Sequence, residues 1–341
     1  MRWAVILAGG SGSRFWPLST AARPKQLLPL INAQSTAEAT LARLEGLVAP
    51  ERVLLVTGAH LAAPLQAALE LPAANVLIEP RARSTAPALL WAAHEAARRD
   101  PDAVLLSLHA DWYVPDPIPF RDAGNAAFAL AEGEPVLVTV GVTPTRPETG
   151  YGYIIPGAPL AGGGRRVAAF TEKPSAQRAT ELIAQGAFWN SGLFAWRSTV
   201  LRNEVEEIAP ELAAGYAALD RGDVTAFFET VPSVAIDTAV LERSQAVATI
   251  EGRFSWDDIG TWEALSRVRP HDDHDNVLVG DVSAVDAARI IAWSERTPIV
   301  VSGVSDLVIV EANGRLLILG RGKAADLKTV LDRLEPRIRD I

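Results

Sequence analysis

The chain has 341 residues, of which 49% are hydrophobic and 21% are charged, and its formal net charge is −9. This length is sufficient for a large core and roughly two domains, while the acidic balance argues against a nucleic acid or an anionic membrane as the main partner. The absence of cysteine excludes disulfides, thiolate zinc sites and cysteine nucleophiles.

The N-terminus and the lengths of the apolar runs indicate the cellular compartment of the protein. The chain enters a predicted strand directly, without the features of a secretory leader, and no apolar run approaches the length that crosses a bilayer. We therefore expect a cytoplasmic protein that does not bind membranes.

A glycine-rich turn follows the first predicted strand, residues 3–7. The glycines in residues 9–12 let bare backbone approach a ligand, and such a turn often presents N–H groups to a phosphate. Its spacing fits neither the dinucleotide fingerprint nor the Walker A loop. Arg14 and Lys25 flank the turn. Only four of the 32 basic residues are lysines, and lysine differs from arginine as a phosphate ligand, so we interpret Lys25 as a phosphate contact.

Strands and helices then alternate as far as about residue 140. The predicted strands lie at residues 52–57, 75–78, 103–108 and 135–141, and the predicted helices at 36–47, 61–71, 85–99 and 120–130. Strands that are apolar throughout indicate a parallel sheet covered on both faces. The pattern therefore predicts a doubly wound, mostly parallel α/β domain that binds ligands at the carboxyl ends of its strands.

The remaining sequence divides near residue 270. Residues 141–270 have a looser pattern, interpreted as the second wall of the same domain, and residues 269–275 are predicted to be a linker. Short strands follow at residues 276–281, 288–293, 299–301, 307–310 and 315–319. Their close spacing predicts a small β domain, either a solenoid or a sandwich, ending in a helix over residues 324–334. The predicted domains are thus 1–270 and 271–341.

Two acidic residues follow predicted strands. Glu79 ends the third strand, and a carboxylate in the plane of guanine accepts hydrogen bonds from both N1–H and the exocyclic amine. Glu79 weighs against uracil and thymine, whose N3–H is flanked by acceptor carbonyls, and against adenine, whose N1 is an acceptor that a carboxylate repels. Asp111 follows the fourth strand and is a candidate Mg²⁺ ligand.

These segments resemble the sugar-nucleotide pyrophosphorylases, and in particular the guanylyltransferase branch that acts on mannose 1-phosphate. The resemblance covers most of the chain and is carried by the following segments: GGSGSRFWPLS and RPKQLLPL within residues 9–30, EPRARSTAP at 79–87, YGYI at 151–154, FTEKP at 170–174, WNSG at 189–192 and WDDIGTW at 256–262.

The resemblance implies a role for each segment. It implies catalysis by Arg14, Lys25 and Lys173; nucleotide binding by Leu7, Gly9, Gly10, Gly12, Ser13, Glu79, Ser84 and Thr85; sugar-phosphate binding by Gly152, Glu172, Lys173 and Asn190; and Mg²⁺ binding by Asp111 and Asp258. It also implies that the β domain is a short left-handed β-helix.

The implied reaction is transfer of GMP from GTP to mannose 1-phosphate, giving GDP-mannose and pyrophosphate, with Mg²⁺ as cofactor. We expect no nucleic-acid partner, a homodimer, and no isomerase activity of the kind that longer relatives carry on an added domain. Two alternatives stay open. One is a sibling enzyme with another hexose or base, and the other is a catalytically silent regulatory subunit that binds a sugar nucleotide.

Overall fold

The computed structural model describes residues 1–10 and 12–339, and its contacts form two compact units. The sheet unit comprises Met1–Gly9, Thr40–Ala110 and Val114–Trp256. The solenoid unit comprises Gly10, residues 12–39, Asp111–Tyr113 and residues 257–339. The solenoid unit thus contains an early segment of the chain as well as the late strands. The predicted domain boundary after residue 270 stays a prediction.

The sheet unit is built on one nine-stranded mixed sheet with the order β3-β2-β1-β4-β8-β5-β9-β7-β6. Its strands are β1 Arg2–Ala8, β2 Val53–Gly58, β3 Val76–Glu79, β4 Val104–His109, β5 Leu137–Val142, β6 Gly152–Pro159, β7 Arg165–Glu172, β8 Phe188–Arg197 and β9 Val247–Gly252. Strands β1 to β4 pair in parallel, and antiparallel pairing begins where β8 joins β4. The predicted α/β fold class is confirmed, and the second half of the sequence makes its sheet mixed.

Burial explains why the first strands are apolar throughout. In β1 every residue from Trp3 to Ala8 is buried, so both faces of the strand are covered. Helix α3, Thr85–Arg99, has nine buried residues, of which eight belong to one core cluster with Trp3, Val5 and Leu7. This packing of apolar surface is the main stabilising contribution. Because β1 to β4 pair in parallel, the carboxyl ends of β1, β3 and β4 lie at one edge of the sheet.

The helices begin and end close to the predicted positions in the first part of the chain. They are α1 Thr36–Arg43, α2 Ala59–Leu69, α3 Thr85–Arg99, α4 Pro117–Gly133, α5 Ala176–Ala184, α6 Ser198–Ile208, α7 Pro210–Ala213, α8 Tyr216–Asp220, α9 Val224–Thr230, α10 Leu265–Val268, α11 Leu327–Leu331 and α12 Pro336–Arg339. Ser35 caps α1, since its hydroxyl accepts from the N–H of Glu38 while the Glu38 carboxylate accepts from the N–H of Ser35. No helix among the described residues is both long and apolar enough to span a membrane.

The solenoid unit carries six further strands. They are β10 Val277–Val279, β11 Val282–Val285, β12 Ile291–Ser294, β13 Ile299–Ser302, β14 Leu307–Ala312 and β15 Arg315–Gly320. β10, β12 and β14 pair in parallel, as do β11 and β13, and β15 closes the first sheet in antiparallel pairing. Successive coils of parallel strands are the arrangement of the short left-handed β-helix that the resemblance implied.

Two details of this region differ from the prediction. Strand β11 was not predicted, because its side chains alternate between half-buried and exposed and give no apolar run. The predicted single helix over residues 324–334 is wrong. A 3₁₀ helix, Arg321–Asp326, comes first, and α11 spans only Leu327–Leu331.

Candidate active site

The glycine-rich turn in the solenoid unit places its backbone against Lys25. Gly12 has a φ of +61°, which glycine adopts without steric cost, and it leads into a 3₁₀ helix at Ser13–Phe15. A Cβ on Gly12 would lie 2.6 Å from the Lys25 Cβ and 2.8 Å from the Ser19 Oγ. The position therefore requires glycine for both conformation and space. Ser11 lies outside the described residues.

Lys25 is a buried cation held by acidic residues from two other segments. Its side chain is only 7% exposed, and its ammonium donates to the Asp111 carboxylate at 2.9 Å and to the backbone carbonyl of Asp258 at 3.3 Å. The Phe15 ring lies 5.5 Å from the same ammonium. We call Lys25, Asp111 and Asp258 the Lys25 cluster; it joins residues that are far apart in sequence.

Backbone hydrogen bonds fix the two aspartate segments side by side. The N–H of Tyr113 donates to the Asp257 carbonyl at 2.8 Å, and the N–H of Asp257 donates back to the Tyr113 carbonyl at 3.1 Å. Because these bonds lie within two residues of Asp111 and next to Asp258, the aspartates are positioned by main chain rather than by flexible side chains.

Asp257, the neighbour of Asp258, has a structural task. Its carboxylate forms a bidentate pair with Arg267, at 2.6 and 3.0 Å, and also accepts from the N–H of Ile259 at 2.9 Å. Ile259 has a φ of +43°, which is strained for a β-branched residue. Asp257 therefore stabilises the turn that carries Asp258.

We call residues 12–30 the signature segment, and its part from Trp16 to Arg23 contacts the C-terminal part of the same unit. The Trp16 indole donates to the Arg339 carbonyl at 3.0 Å, and the Asn313 side chain donates to the Pro17 carbonyl at 2.8 Å. Arg23 forms an ion pair with Glu295. Arg14, by contrast, is exposed and makes no hydrogen bond or ion pair with any described residue, so its guanidinium is available for an anion.

The predicted nucleotide residues of the sheet unit lie at the carboxyl edge of the parallel strands. Leu7 is a buried β1 residue whose carbonyl accepts from the N–H of Ala110, and Gly9 follows at the exposed end of the strand. Glu79 ends β3 and is half-buried, and burial raises the pKa of its carboxyl to about 7. The described residues offer this carboxyl no hydrogen bond, so it keeps its acceptors for a ligand.

Ser84 and Thr85 have different surroundings. Ser84 is exposed, with a φ of 66° and a ψ of −168°, and its hydroxyl does not cap α3. The Thr85 hydroxyl accepts from the N–H of Ile236 at 3.0 Å. Thr85 therefore ties the start of α3 to the segment before Asp237, while the Ser84 hydroxyl remains available to a ligand.

A second group of polar residues lies where β6, β7 and β8 meet, and we call Gly152, Glu172, Asn190 and Asp237 the β6–β8 cluster. A Cβ on Gly152 would lie 2.5 Å from a Glu172 carboxylate oxygen and 3.2 Å from the Asn190 Cβ. The Asn190 amide donates to the Asp237 carboxylate at 2.7 Å. Three of these residues were predicted from sequence, and the structure brings them together.

Lys173 extends from this cluster toward solvent. It has a φ of 47°, its side chain is 66% exposed, and its ammonium lies 3.1 Å from the Glu172 carboxylate. With Ser84 and Ile259, it is one of three described non-glycine residues with a positive φ in the predicted site segments. Such strain persists only where the surroundings impose it and concentrates at functional sites.

Asp237 was not predicted. It begins a π-helical turn, Asp237–Leu241, a rare conformation that often marks functional positions. Burial, and then the nearby charge of Glu172, raise the pKa of its carboxyl to about 6. The residue carries no sequence motif and lies 47 positions from Asn190, so no sequence signal pointed to it.

The chain is similar to proteins of one known family. Residues 3–274 match the Nucleotidyl transferase family. Two curated relatives are named mannose-1-phosphate guanylyltransferase. The one from Klebsiella pneumoniae is 35% identical and the one from Escherichia coli 34%, and each alignment covers 98% of this chain and 74% of the relative.

A solved structure is similar over nearly its whole length. It belongs to a Thermus thermophilus protein described as "mannose-1-phosphate geranyltransferase", is 36% identical, and superimposes with a TM-score of 0.89 over 97% of this chain and 98% of that one. By the family match and these relatives, the chain belongs to the nucleotidyl transferase family, in its mannose-1-phosphate guanylyltransferase branch.

Proposed function

We propose that this protein transfers GMP from GTP to mannose 1-phosphate and releases pyrophosphate. The observation that carries the proposal is the Lys25 cluster, in which a buried lysine and two aspartates from separate segments converge beside a glycine-rich turn. Such a grouping suits a reaction between two polyanions, which must be held in line while charge develops on the leaving phosphates.

The reaction requires the protein to neutralise phosphate charge, and it does not require a nucleophilic side chain. The phosphate oxygen of the sugar attacks the α-phosphate directly, so no serine, cysteine or histidine base is required. The backbone N–H groups of the turn, Arg14 and Lys25 would hold the triphosphate, because each offers donors or positive charge to phosphate oxygens. The exposed Lys173 would fix the attacking phosphate.

Asp111 and Asp258 fit a magnesium ion. Mg²⁺ takes one or two carboxylates and shares its remaining positions with phosphate oxygens and water. The Asp111 carboxylate and the Asp258 backbone carbonyl both accept from the Lys25 ammonium, so the two residues lie near the same positive charge. A bound Mg²⁺ would neutralise phosphate charge and orient the reacting groups. The protein's part is to hold the two aspartates beside the turn.

Glu79 supports guanine as the base. Its half-buried carboxyl has no hydrogen-bond partner among the described residues, and guanine supplies two donors in one plane. In the β6–β8 cluster, Gly152, Glu172 and Asn190 would surround the hexose. We further propose that the protein is cytoplasmic and that it acts as a homodimer.

The test is pyrophosphate release from GTP with Mg²⁺, comparing mannose 1-phosphate with glucose 1-phosphate and repeating the assay with EDTA. We expect fast release that requires mannose 1-phosphate and stops with EDTA. Faster release with glucose 1-phosphate would move the protein to a sibling specificity. GDP-mannose binding by folded protein without turnover of any pair would favour a regulatory subunit instead.

A further inference from the structure

The hydrogen bonds of Asn190 show that its amide is directed at Asp237. Its Oδ1 accepts from the Thr139 hydroxyl at 2.9 Å and from the N–H of Gly192 at 3.3 Å, while its Nδ2 donates to the Asp237 Oδ1 at 2.7 Å. An amide oxygen has two lone pairs, so both are used. The orientation of the amide is therefore fixed, with its donor side toward Asp237.

The local fold explains this orientation. Pairing between β5 and β8 shifts register between Thr139 and Gly141, and the irregular part of β8 includes Gly192, with a φ of 78°. Irregularities of this kind bend a strand and re-aim its side chains. Asn190 is buried and Thr139 is fully buried, so water does not compete for the bonds that hold the amide.

Asp237 retains acceptor capacity beyond these contacts. A carboxylate offers about four acceptor positions. Its carboxyl takes one hydrogen bond from Asn190 and one from its own backbone N–H. Glu172, the other carboxylate of the cluster, is already paired with Lys173, and its N–H donates to the Glu242 carboxylate at 3.1 Å. Asp237 is thus the second acidic acceptor of the cluster, and the Asn190 amide holds its carboxylate in place.

We propose that Asp237 accepts a hydrogen bond from a ring hydroxyl of the hexose 1-phosphate and so contributes to the choice of hexose, with Asn190 as the positioning residue that holds its carboxylate. The inference rests on the proposed function, because that function places the hexose at the β6–β8 cluster. Hexoses differ in their hydroxyls, and a partly desolvated carboxylate that accepts from one hydroxyl discriminates strongly against a sugar that lacks it.

The experiment combines a substitution with altered substrates. Asp237→Asn preserves shape and removes the charge. kcat and KM are measured with mannose 1-phosphate and with each of its monodeoxy analogues, and KM is measured for GTP. We expect KM for mannose 1-phosphate to rise about tenfold or more, as for loss of a charged hydrogen bond, with KM for GTP unchanged.

The deoxy analogues distinguish loss of one hydrogen bond from a general disturbance of the site, because a general disturbance would weaken all analogues equally. For the wild-type protein, removal of the contacted hydroxyl should weaken the substrate by about tenfold or more. For Asp237→Asn, removal of that same hydroxyl should cost nothing further, whereas the other deoxy positions should behave as they do with the wild type. Uniform loss with every analogue, or an unchanged KM, would overturn the inference.

A second variant keeps the test decisive if Asp237→Asn does not fold. Thr139→Val is nearly isosteric and removes one of the two donors that fix the Asn190 amide. It should weaken discrimination at the same single hydroxyl by a smaller factor, and no change there would also overturn the inference. If the wild-type protein turned over no sugar phosphate, both proposals would fall. Wild-type turnover without a hydroxyl-specific effect would overturn this one alone.

Discussion

Replacement of Lys25 by methionine tests the centre of the proposed site. Methionine fills similar space but removes an ammonium that is 2.9 Å from the Asp111 carboxylate, on a side chain that is 7% exposed. The gross attraction at that distance is about 6 kcal/mol for an effective dielectric constant of about 20, and desolvation offsets part of it. Loss of one desolvated charged donor from the transition state costs about 3–4 kcal/mol, so kcat should fall by about 100- to 1,000-fold.

The assay is steady-state pyrophosphate release at saturating substrates, together with a Mg²⁺ titration. Because Lys25 competes with a second cation for Asp111, the Mg²⁺ concentration for half-maximal rate should stay constant or fall in Lys25→Met. Lys323→Met is the matched control, since Lys323 is 75% exposed and pairs with Asp326 at the surface; its rate should equal that of the wild type. Near-normal turnover by folded Lys25→Met would refute the reasoning.

Three further predictions test other parts of the site. Gly12→Ala should lower kcat about as much as loss of Lys25, because its Cβ would displace that side chain; retained activity would show that the turn can shift. KM for GTP should rise by about tenfold from pH 8 to pH 6, since only ionised Glu79, with a pKa of about 7, accepts both hydrogen bonds from guanine. Glu79→Gln should abolish this pH dependence. If the variant kept the pH dependence, Glu79 would not be its source. Asp258→Asn should remove Mg²⁺-dependent activity with little change in the thermal midpoint of unfolding. Asp257→Asn should lower the free energy of unfolding, measured in denaturant titrations, by about 3 kcal/mol. Loss of stability in Asp258→Asn, or loss of activity without loss of stability in Asp257→Asn, would contradict the two roles.

The fold was predictable where the signal was local. Continuous apolar runs identified β1 to β4, and their parallel pairing followed from burial on both faces. The position of β8 between β4 and β5 was not predictable, because strand pairing across about 90 residues leaves no periodicity in the sequence.

The site divides in the same way. The glycine-rich turn, Lys25 and Asp111 were identified from local sequence, whereas Asp258 was implied by the family resemblance. The structure brings Lys25, Asp111 and Asp258 together. The tasks of Asp257 and Asp237 depend on partners, Arg267 and Asn190, that only the folded backbone brings near. Neither a buried charge pair nor the orientation of an amide produces a characteristic spacing of residues, so neither can be recognised from the sequence.

The anchoring of the signature segment sets the order of events during synthesis. Phe15, Trp16 and Leu18 belong to one hydrophobic cluster with Trp262, Trp293 and further residues of the late strands, and the Trp16 indole bonds a residue 323 positions downstream. A growing chain therefore exposes these aromatic side chains until the strands of the solenoid have left the ribosome. The first motif to be translated is among the last to be packed, and its early exposure makes it a segment for chaperones to recognise.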